Sequence, residues 1–274
     1  MNTWINGRSR MLIDHRDRGL QYGDGVFETM RVRRRRVRLL DFHLDRLFEG
    51  CHRLRIEPPS AGRLRRELES RAALRADAVL KLIVTRGPGS RGYRPSGEER
   101  CTRIISLHAP PARDGIAAAH PAVRVRMCAT RLGTNPMLAG IKTLNRLESV
   151  MARGEWSDPR VWEGLLRDVD GNIVCGTMSN LFIRSGSYLM TPMLDRCGIA
   201  GVMRRWVLMQ AKDVGLRPLE GRLRWNQIVE AEEAFMTNAV AGVVSVALFR
   251  DGAERIRFQN QDSARSLRAR LEAL

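Results

Sequence analysis

Short apolar segments separated by tight-turn residues recur along most of the 274 residues. Turn signals such as Asn6-Gly7 and Asp170-Gly171 between such segments indicate antiparallel neighbours, because a two-residue turn returns the chain beside itself. Helical periodicity occurs in separate blocks, the first from about residue 41 to the prolines at 58 and 59. Strands are predicted at residues 3–5, 11–13, 26–32, 78–85, 103–107, 123–128, 162–167, 180–184, 188–191, 216–219, 234–237 and 243–249, and further helices at about 61–74, 143–151, 199–214 and 225–229. This arrangement predicts an α+β fold rather than a doubly wound parallel sheet.

A stretch rich in proline and alanine divides the chain. Residues 108–121 hold three prolines and show neither helical nor strand periodicity, which is typical of a linker between domains. A chain of this length suffices for two domains. The sequence therefore predicts a smaller N-terminal α+β domain at 1–112, an interdomain linker at 113–121 and a larger C-terminal domain at 122–274.

The chain carries a net charge of +17, which by itself would suggest a nucleic-acid partner. The basic residues are spread along the whole sequence, however. Their densest run, residues 31–38, is flanked by valines and resembles a hairpin with a charged tip. No helix-turn-helix, zinc-finger or aromatic-basic RNA motif accompanies them. We therefore expect that binding nucleic acid is not the primary function.

Targeting and metal-binding signals are missing from the sequence. The longest apolar run, residues 239–249, is too short to span a bilayer, which takes about 20 residues. No apolar segment follows a charged start at the N-terminus, so no signal peptide is predicted. The five cysteines are odd in number and widely separated, and neither they nor the histidines have metal-ligand spacing. These features predict a cytoplasmic protein with reduced cysteines, no metal and no membrane association.

Lysine is scarce, since only three of the 47 lysine and arginine residues are lysines. Arginine replaces lysine as a charge but not as a nucleophilic amine, because its guanidinium stays protonated in proteins. Lys142 follows an apolar, glycine-containing stretch and precedes a predicted helix, so partial desolvation there would favour a free amine. Lys81, within an apolar strand, is a close competitor, whereas Lys212 beside Asp213 is expected to be solvated. The residues alone rank Lys142 above Lys81 only slightly.

Several motifs, in chain order, resemble those of the class IV family of pyridoxal phosphate enzymes, which includes branched-chain and D-amino acid aminotransferases. They are YGDGVFET at 22–29, HLDRL at 43–47, TRGPGSRGY at 85–93, the Lys142 segment, SNLF at 179–182 and FMTNA at 235–239. The likeness covers nearly the whole chain, and the loop at 86–93 and the run at 135–148 are most similar to the aminodeoxychorismate lyase branch. The resemblance implies two α+β domains of fold type IV, a cofactor site at their interface, and a homodimer whose partner helps to close that site.

The resemblance also implies which residues bind the cofactor. Lys142 is expected to form a Schiff base with pyridoxal 5'-phosphate, and Arg46 to contact the phosphate, for which a guanidinium fork is suited. The helix that begins after Gly201 is expected to offer backbone N–H groups to the same phosphate. The helix residues concerned are Val202 and Met203, and a second phosphate-binding turn is expected at Asn238 and Ala239.

Other residues are expected to act on the substrate. Thr29 corresponds to a threonine of the lyase branch near the Schiff base, where its hydroxyl could relay a proton to the leaving group, although an ordinary strand threonine is an equally good interpretation. Arg91 and Tyr93 on the glycine-rich loop are candidates for holding the substrate carboxylates. The alternatives for that role are Arg31, Arg86 and Arg131.

One position departs from the family pattern. Counting back from Asn180 places Cys175 where the family usually has a glutamate that hydrogen-bonds the pyridine nitrogen of the cofactor. A carboxylate there keeps the ring nitrogen protonated and makes the ring a strong electron sink, whereas a thiol holds the nitrogen less firmly. Elimination that yields an aromatic product needs less of this help than transamination, so the departure favours a lyase.

The resemblance thus implies a lyase that converts 4-amino-4-deoxychorismate to 4-aminobenzoate and pyruvate in folate biosynthesis. Three alternatives stay open at this point. The first is a class IV aminotransferase acting on D-amino or branched-chain amino acids. The second is a nucleic-acid-binding relative, suggested only by the charge of +17, and the third is an inactive cofactor-binding relative, suggested by Cys175.

Overall fold

The computed structural model describes residues 2–110 and 122–274. The chain forms two compact units, one of Met1–Pro111 with Ile141–Asn145 and the other of Ala112–Gly140 with Arg146–Leu274. The predicted linker at 113–121 lies outside the described residues, and the predicted domain boundaries stay a prediction. One short segment of the predicted C-terminal domain, Ile141–Asn145, groups with the first unit, and this segment carries Lys142.

The first unit contains β1 (Asn2–Ile5), β2 (Arg8–Ser9), α1 (Arg18–Tyr22), β3 (Gly25–Arg33), β4 (Arg36–Val37), α2 (Leu40–Leu54), α3 (Ala61–Ala72), β5 (Asp77–Thr85) and β6 (Thr102–His108). Its six strands form one sheet in the order β2-β1-β6-β5-β3-β4, in which every neighbouring pair is antiparallel. Buried and partly exposed residues alternate along its long strands, as expected when one face of a sheet is covered.

Helices α2 and α3 contribute to the core on one face of this sheet. In α2, Leu44, Leu47 and Cys51 recur at helical spacing and are buried with Met30 and other residues of β3. In α3 the buried leucines are four residues apart, at 64 and 68. The opposite face of the sheet, which carries the partly exposed residues of β3 and β5, is therefore the face available for function.

The second unit is built on a nine-stranded mixed sheet. The elements are β7 (Val123–Leu132), α4 (Leu147–Arg153), β8 (Val161–Asp168), β9 (Ile173–Gly176), β10 (Asn180–Ser185), β11 (Tyr188–Pro192), α5 (Val202–Gln210), a 3₁₀ helix (Lys212–Val214), β12 (Arg217–Gly221), α6 (Trp225–Val229), β13 (Glu233–Asn238), β14 (Gly242–Asp251), β15 (Glu254–Arg257) and α7 (Asp262–Glu272). Eight strands follow the order β12-β11-β10-β13-β14-β7-β8-β9, and β15 pairs with β14. Three neighbouring pairs are parallel: β11 with β12, β14 with β7, and β7 with β8.

The predicted α+β class is confirmed, and several local predictions differ from the structure. The predicted strand near 11–13 is wrong, because the second strand is Arg8–Ser9. The helix predicted from residue 143 begins at Leu147. The short α1, the C-terminal α7 and the three parallel pairings were not predicted. No helix in the described part of the chain combines the length and the apolar character needed to cross a membrane.

Candidate active site

Lys142 lies in the short segment that runs beside strand β3 of the first unit. Phe27 N donates to the Lys142 carbonyl oxygen over 3.0 Å, and Leu144 N donates to the Gly25 carbonyl oxygen over 3.0 Å. These bonds hold the lysine backbone as an additional strand partner of β3. The Lys142 ammonium lies 4.2 Å from the centroid of the Phe27 ring, a favourable position for a cation, and the side chain is half-buried. The amine is thus placed on the face of β3 that carries Phe27.

Two of the three lysines of the chain lie over that same aromatic ring. Lys81 on β5 has its Nζ 5.5 Å from the Phe27 centroid. Lys81 is paired in register with Thr29 on β3 and with Ser106 on β6, so these three residues form a polar row across three strands. Thr29, predicted to relay a proton, therefore shares a sheet face with both Phe27 and Lys81. The exposed Lys212 belongs to the second unit.

A buried ion pair lies on the other face of β3. The Arg46 guanidinium donates from Nε to Glu28 Oε1 over 2.8 Å and from Nη2 to Glu28 Oε2. His43 Nδ1 lies 2.6 Å from Glu28 Oε2. Because the carboxylate only accepts hydrogen bonds, His43 must donate from Nδ1. The two contacts to Glu28 fix the plane of the guanidinium that was predicted to bind the cofactor phosphate.

Glu28 keeps its charge although its side chain is almost completely buried. Burial by itself raises the pKa of Glu28, but Arg46 and His43 together hold that pKa at about 2. Burial lowers the pKa of His43, although its bond to Glu28 opposes this. At neutral pH the group is therefore a carboxylate, a neutral imidazole and a guanidinium. The sequence shows that His43 and Arg46 are three residues apart on one predicted helix. It does not show their common partner Glu28, which lies in a strand 15 or more positions away.

The loop at residues 86–93 carries the predicted substrate-binding residues of the first unit. The side chains of Arg91 and Tyr93 are exposed. Two of the alternatives already have structural partners. Arg86 donates to Asp24 and to the carbonyl oxygens of residues 54 and 55, and Arg31 donates to Asp77.

The remaining alternative is Arg131, an exposed residue of β7 in the second unit. The structure therefore favours Arg91 and Tyr93 over Arg31 and Arg86 for a contact to substrate.

The predicted phosphate-binding helix terminus is present in the second unit. Helix α5 begins at Val202, with Met203 next, and its N-cap Gly201 has no side chain to accept hydrogen bonds from the first turn. Asn180 Nδ2 donates to the Ile199 carbonyl oxygen over 2.9 Å. A Cβ on Gly201 would lie only 2.1 Å from Asn180 Oδ1, so only glycine fits there. The N–H groups of a first helical turn have no acceptor within the helix, so they are suited to an anion.

The second predicted phosphate turn lies beside the first. Thr237 on β13 is paired in register with Asn180 on β10. Asn238 Oδ1 accepts from Val240 N over 3.0 Å and from Ala241 N over 2.7 Å, so the Asn238 side chain shapes the turn that contains Ala239. The Thr237 hydroxyl is buried, and among the described residues it has no hydrogen-bond partner. An unpartnered hydroxyl next to this turn is consistent with a bound polar group.

Cys175, at the position of the usual family glutamate, lies in β9, which is buried along its whole length. Burial, with a smaller effect from the Cys197 thiol, raises the pKa of Cys175 to about 12. Cys175 is therefore a neutral thiol at physiological pH. A neutral thiol cannot provide the negative charge that keeps a pyridine nitrogen protonated.

A buried carboxylate orders the turn that follows Cys175. The Glu163 oxygens accept hydrogen bonds from residues 177–179, including Thr177 Oγ1 over 2.6 Å, Thr177 N over 3.1 Å and the Ser179 hydroxyl. Burial raises the pKa of Glu163, and the bonds from Ser179 and Thr177 oppose that rise. No sequence pattern marks this residue, because its side-chain partners Thr177 and Ser179 lie more than ten positions away.

Pyridoxal phosphate has three groups to be bound: an aldehyde, a phosphate and a pyridine nitrogen. The described residues offer suitable partners for the first two. The first unit offers an amine for its aldehyde, at Lys142. The second unit offers N–H groups for its phosphate, at the start of α5. For the pyridine nitrogen, the usual carboxylate is replaced by the thiol of Cys175.

Comparisons with known proteins show the family of this chain. The family model described as amino-transferase class IV matches residues 25–249. An aminodeoxychorismate lyase of Vibrio harveyi is 32% identical, over 89% of this chain and 90% of its own. A putative branched-chain-amino-acid aminotransferase of Methanocaldococcus jannaschii is 33% identical, over 90% of this chain and 87% of its own. The crystal structure of 4-amino-4-deoxychorismate lyase from Pseudomonas aeruginosa matches with a TM-score of 0.89 at 41% identity, over 99% of this chain and 98% of that one.

Proposed function

The chain belongs to the class IV aminotransferase family, and on that premise we propose that it is a pyridoxal-phosphate-dependent lyase. Its substrate is 4-amino-4-deoxychorismate, and its products are 4-aminobenzoate and pyruvate. The observation that carries the proposal is the placement of Lys142, whose amine is held on the open face of β3 by backbone bonds on both sides. The 41% identity to a solved 4-amino-4-deoxychorismate lyase, over 99% of this chain, supports this reaction among those of the family.

The resemblance to the class IV family indicates which residues would hold the cofactor. Lys142 would bind its aldehyde. The N–H groups of Val202 and Met203 and the backbone of the turn at Asn238 and Ala239 would bind its phosphate, with Arg46 as a further cationic contact. When bound, pyridoxal phosphate withdraws electrons from the carbon that carries the substrate amino group.

The proton transfers are assigned to Lys142 and Thr29. The Lys142 amine removes the proton from the ring carbon that bears the substrate nitrogen. The C–O bond to the pyruvyl group then breaks, and its electron pair leaves with that group. Thr29 or the protonated Lys142 returns one proton to the departing group, which becomes pyruvate. The proton removed and the proton returned balance, and the remaining ring is aromatic.

Arg91 and Tyr93 would bind the substrate carboxylates. Their side chains are exposed and belong to a loop whose neighbouring arginine, Arg86, is already engaged by Asp24. A guanidinium and a phenol hydroxyl are suitable donors for carboxylate oxygens. The substrate has two carboxylates, so two donors on one loop match its charge.

Cys175 supports a lyase over an aminotransferase. A buried neutral thiol at this position would not pair with a protonated pyridine nitrogen as a carboxylate would. Transamination depends on prolonged stabilisation of negative charge on the substrate carbon, whereas elimination discharges it at once by expelling pyruvate. The product is a precursor for folate synthesis in the family, and a cytoplasmic location accords with that role.

Exposed apolar side chains support a homodimer. In the first unit Met11, Leu12 and Leu20 are exposed, and in the second unit Leu147 and Met151 form a stripe on α4. Clusters of this kind on a monomer mark interaction surfaces. Light scattering is expected to give twice the chain mass of 31.0 kDa, and a mass of one chain would contradict the dimer.

The lyase assay uses purified protein loaded with pyridoxal phosphate, with release of 4-aminobenzoate and pyruvate measured in parallel. The expected result is equal release of both products, with a loss of about 10³-fold or more in Lys142→Ala. Lys212→Ala, which removes the exposed lysine of the second unit, is the matched control and is expected to keep full activity. Transfer of the amino group to a keto acid without release of 4-aminobenzoate would contradict the lyase and favour an aminotransferase.

A further inference from the structure

Arg18 is a cation buried almost completely in the first unit, with 3% of its side chain exposed. It begins the five-residue helix α1, whose N-cap Asp17 accepts from Gly19 N over 2.8 Å. Burying a guanidinium is costly unless its donors are satisfied. The acceptors of its hydrogen bonds therefore show which part of the fold this arginine stabilises.

The guanidinium reaches the loop of residues 86–94, which we call the substrate loop. Arg18 Nη1 donates to the Gly92 carbonyl oxygen over 2.9 Å, and Nη2 donates to the Tyr93 carbonyl oxygen over 2.7 Å. These are consecutive carbonyls in the chain. A planar fork with parallel donors is suited to such a pair, and a single ammonium is not.

The third donor of Arg18, its Nε, binds the same carboxylate as Arg86, the first residue of the substrate loop. Arg18 Nε donates to Asp24 Oδ2 over 3.0 Å, and Arg86 donates to both Asp24 oxygens. The backbone repeats the connection, because Arg18 N donates to the Gly87 carbonyl oxygen over 2.9 Å. Both ends of the substrate loop are therefore fastened to one cluster of Arg18, Asp24 and Arg86.

Aromatic contacts orient the side chain that the loop presents. The rings of Tyr22 and Tyr93 meet edge to face, with centroids 5.5 Å apart. The Arg18 guanidinium carbon lies 4.9 Å from the Tyr22 centroid. Arg18 thus contacts both the backbone of Tyr93 and the ring against which Tyr93 packs.

From these contacts we propose that Arg18 is a positioning residue for substrate recognition: it fixes the substrate loop so that Arg91 and Tyr93 are presented to the substrate carboxylates. The inference rests on the proposed function, because it takes these two residues as substrate contacts. It predicts a specific effect on substrate binding. The cofactor residues Lys142 and Val202 are not part of the cluster, so cofactor loading is independent of Arg18.

The test compares Arg18→Lys with Arg16→Lys, a matched substitution two residues away at an exposed arginine that pairs with Asp14. In the lyase assay Arg18→Lys is expected to raise KM roughly tenfold, the effect of losing one charged hydrogen bond, with kcat changed by less than about threefold. Arg16→Lys is expected to keep the wild-type KM. Borohydride labelling of Lys142 should be equal in all three proteins.

A second readout follows the loop itself. Trypsin cleavage between Arg91 and Gly92, resolved by mass spectrometry, is expected to be faster in Arg18→Lys and unchanged in Arg16→Lys. If Arg18→Lys does not fold, Asp24→Asn tests the same cluster, with an expected rise in KM of roughly threefold. An active wild type with an unchanged KM in these variants would overturn the inference alone. A wild type that releases no 4-aminobenzoate would overturn the proposed function, and the inference with it.

Discussion

The substitution Glu28→Gln removes the negative charge from the buried group of Glu28, His43 and Arg46. The difference between the ordinary pKa of 4.5 and the folded-state pKa of about 2 is worth about 3 kcal/mol, at 1.36 kcal/mol per pKa unit. Removing one member of a buried ion pair leaves the other charge uncompensated, so the variant is expected to lose about 3–5 kcal/mol of unfolding free energy at pH 7.

The pH dependence has a definite sign. Since folding depresses the pKa of Glu28, its contribution is complete above pH 4.5 and is lost as the pH falls toward 2. The advantage of the wild type over Glu28→Gln is therefore expected to shrink by about 2 kcal/mol between pH 7 and pH 3. Urea unfolding at pH 7, 5, 4 and 3 measures it directly.

Asp14→Asn is the matched control for this experiment. The hydrogen bond from the Arg16 side chain lowers the pKa of Asp14 to about 2 as well, but the Asp14 carboxylate is solvated. In 0.15 M salt we expect no measurable change in stability from its removal. An advantage of the wild type over Glu28→Gln that stays constant from pH 7 to pH 3 would refute the assignment of the buried charge.

Two further substitutions test the second unit. Gly201→Ala would place its Cβ 2.1 Å from a side-chain oxygen, so the start of α5 must shift, and affinity for pyridoxal phosphate measured by fluorescence titration is expected to fall roughly tenfold or more. Gly221→Ala, which meets nothing within 4 Å, should bind the cofactor normally, and equal affinity in both variants would argue against a phosphate site at α5. Cys175→Glu restores the family carboxylate and is expected to raise transamination relative to lyase turnover. An unchanged ratio of the two activities would contradict the role assigned to the Cys175 thiol.

The sequence predicted the fold class well because turn residues such as Asn6-Gly7 act locally. It did not predict that β7 lies between β14 and β8, since parallel pairing joins segments far apart in the chain. Local propensity also failed near residue 143. There the chain pairs with Val26 instead of starting a helix, and it is this pairing that fixes Lys142.

The buried charges were the least predictable part of the site. In a chain with so many arginines, Arg18 and Arg46 look like solvated surface charges. In the structure both make forked contacts. Arg18 donates to Gly92, 74 residues away, and Arg46 donates to Glu28, 18 residues away. No local pattern marks such a contact, because the partner is supplied by the fold. Lys142 was singled out because lysine is rare here and because its segment resembles that of the class IV family, and its role stays a prediction.

Borohydride reduction of the loaded protein, followed by peptide mapping, identifies the lysine that carries the cofactor. A pyridoxyl group is expected on Lys142 alone, with no label on Lys212. A label on Lys81, whose amine lies over the same Phe27 ring, would show that the wrong lysine has been assigned. A protein that takes no label on any lysine would contradict cofactor chemistry altogether.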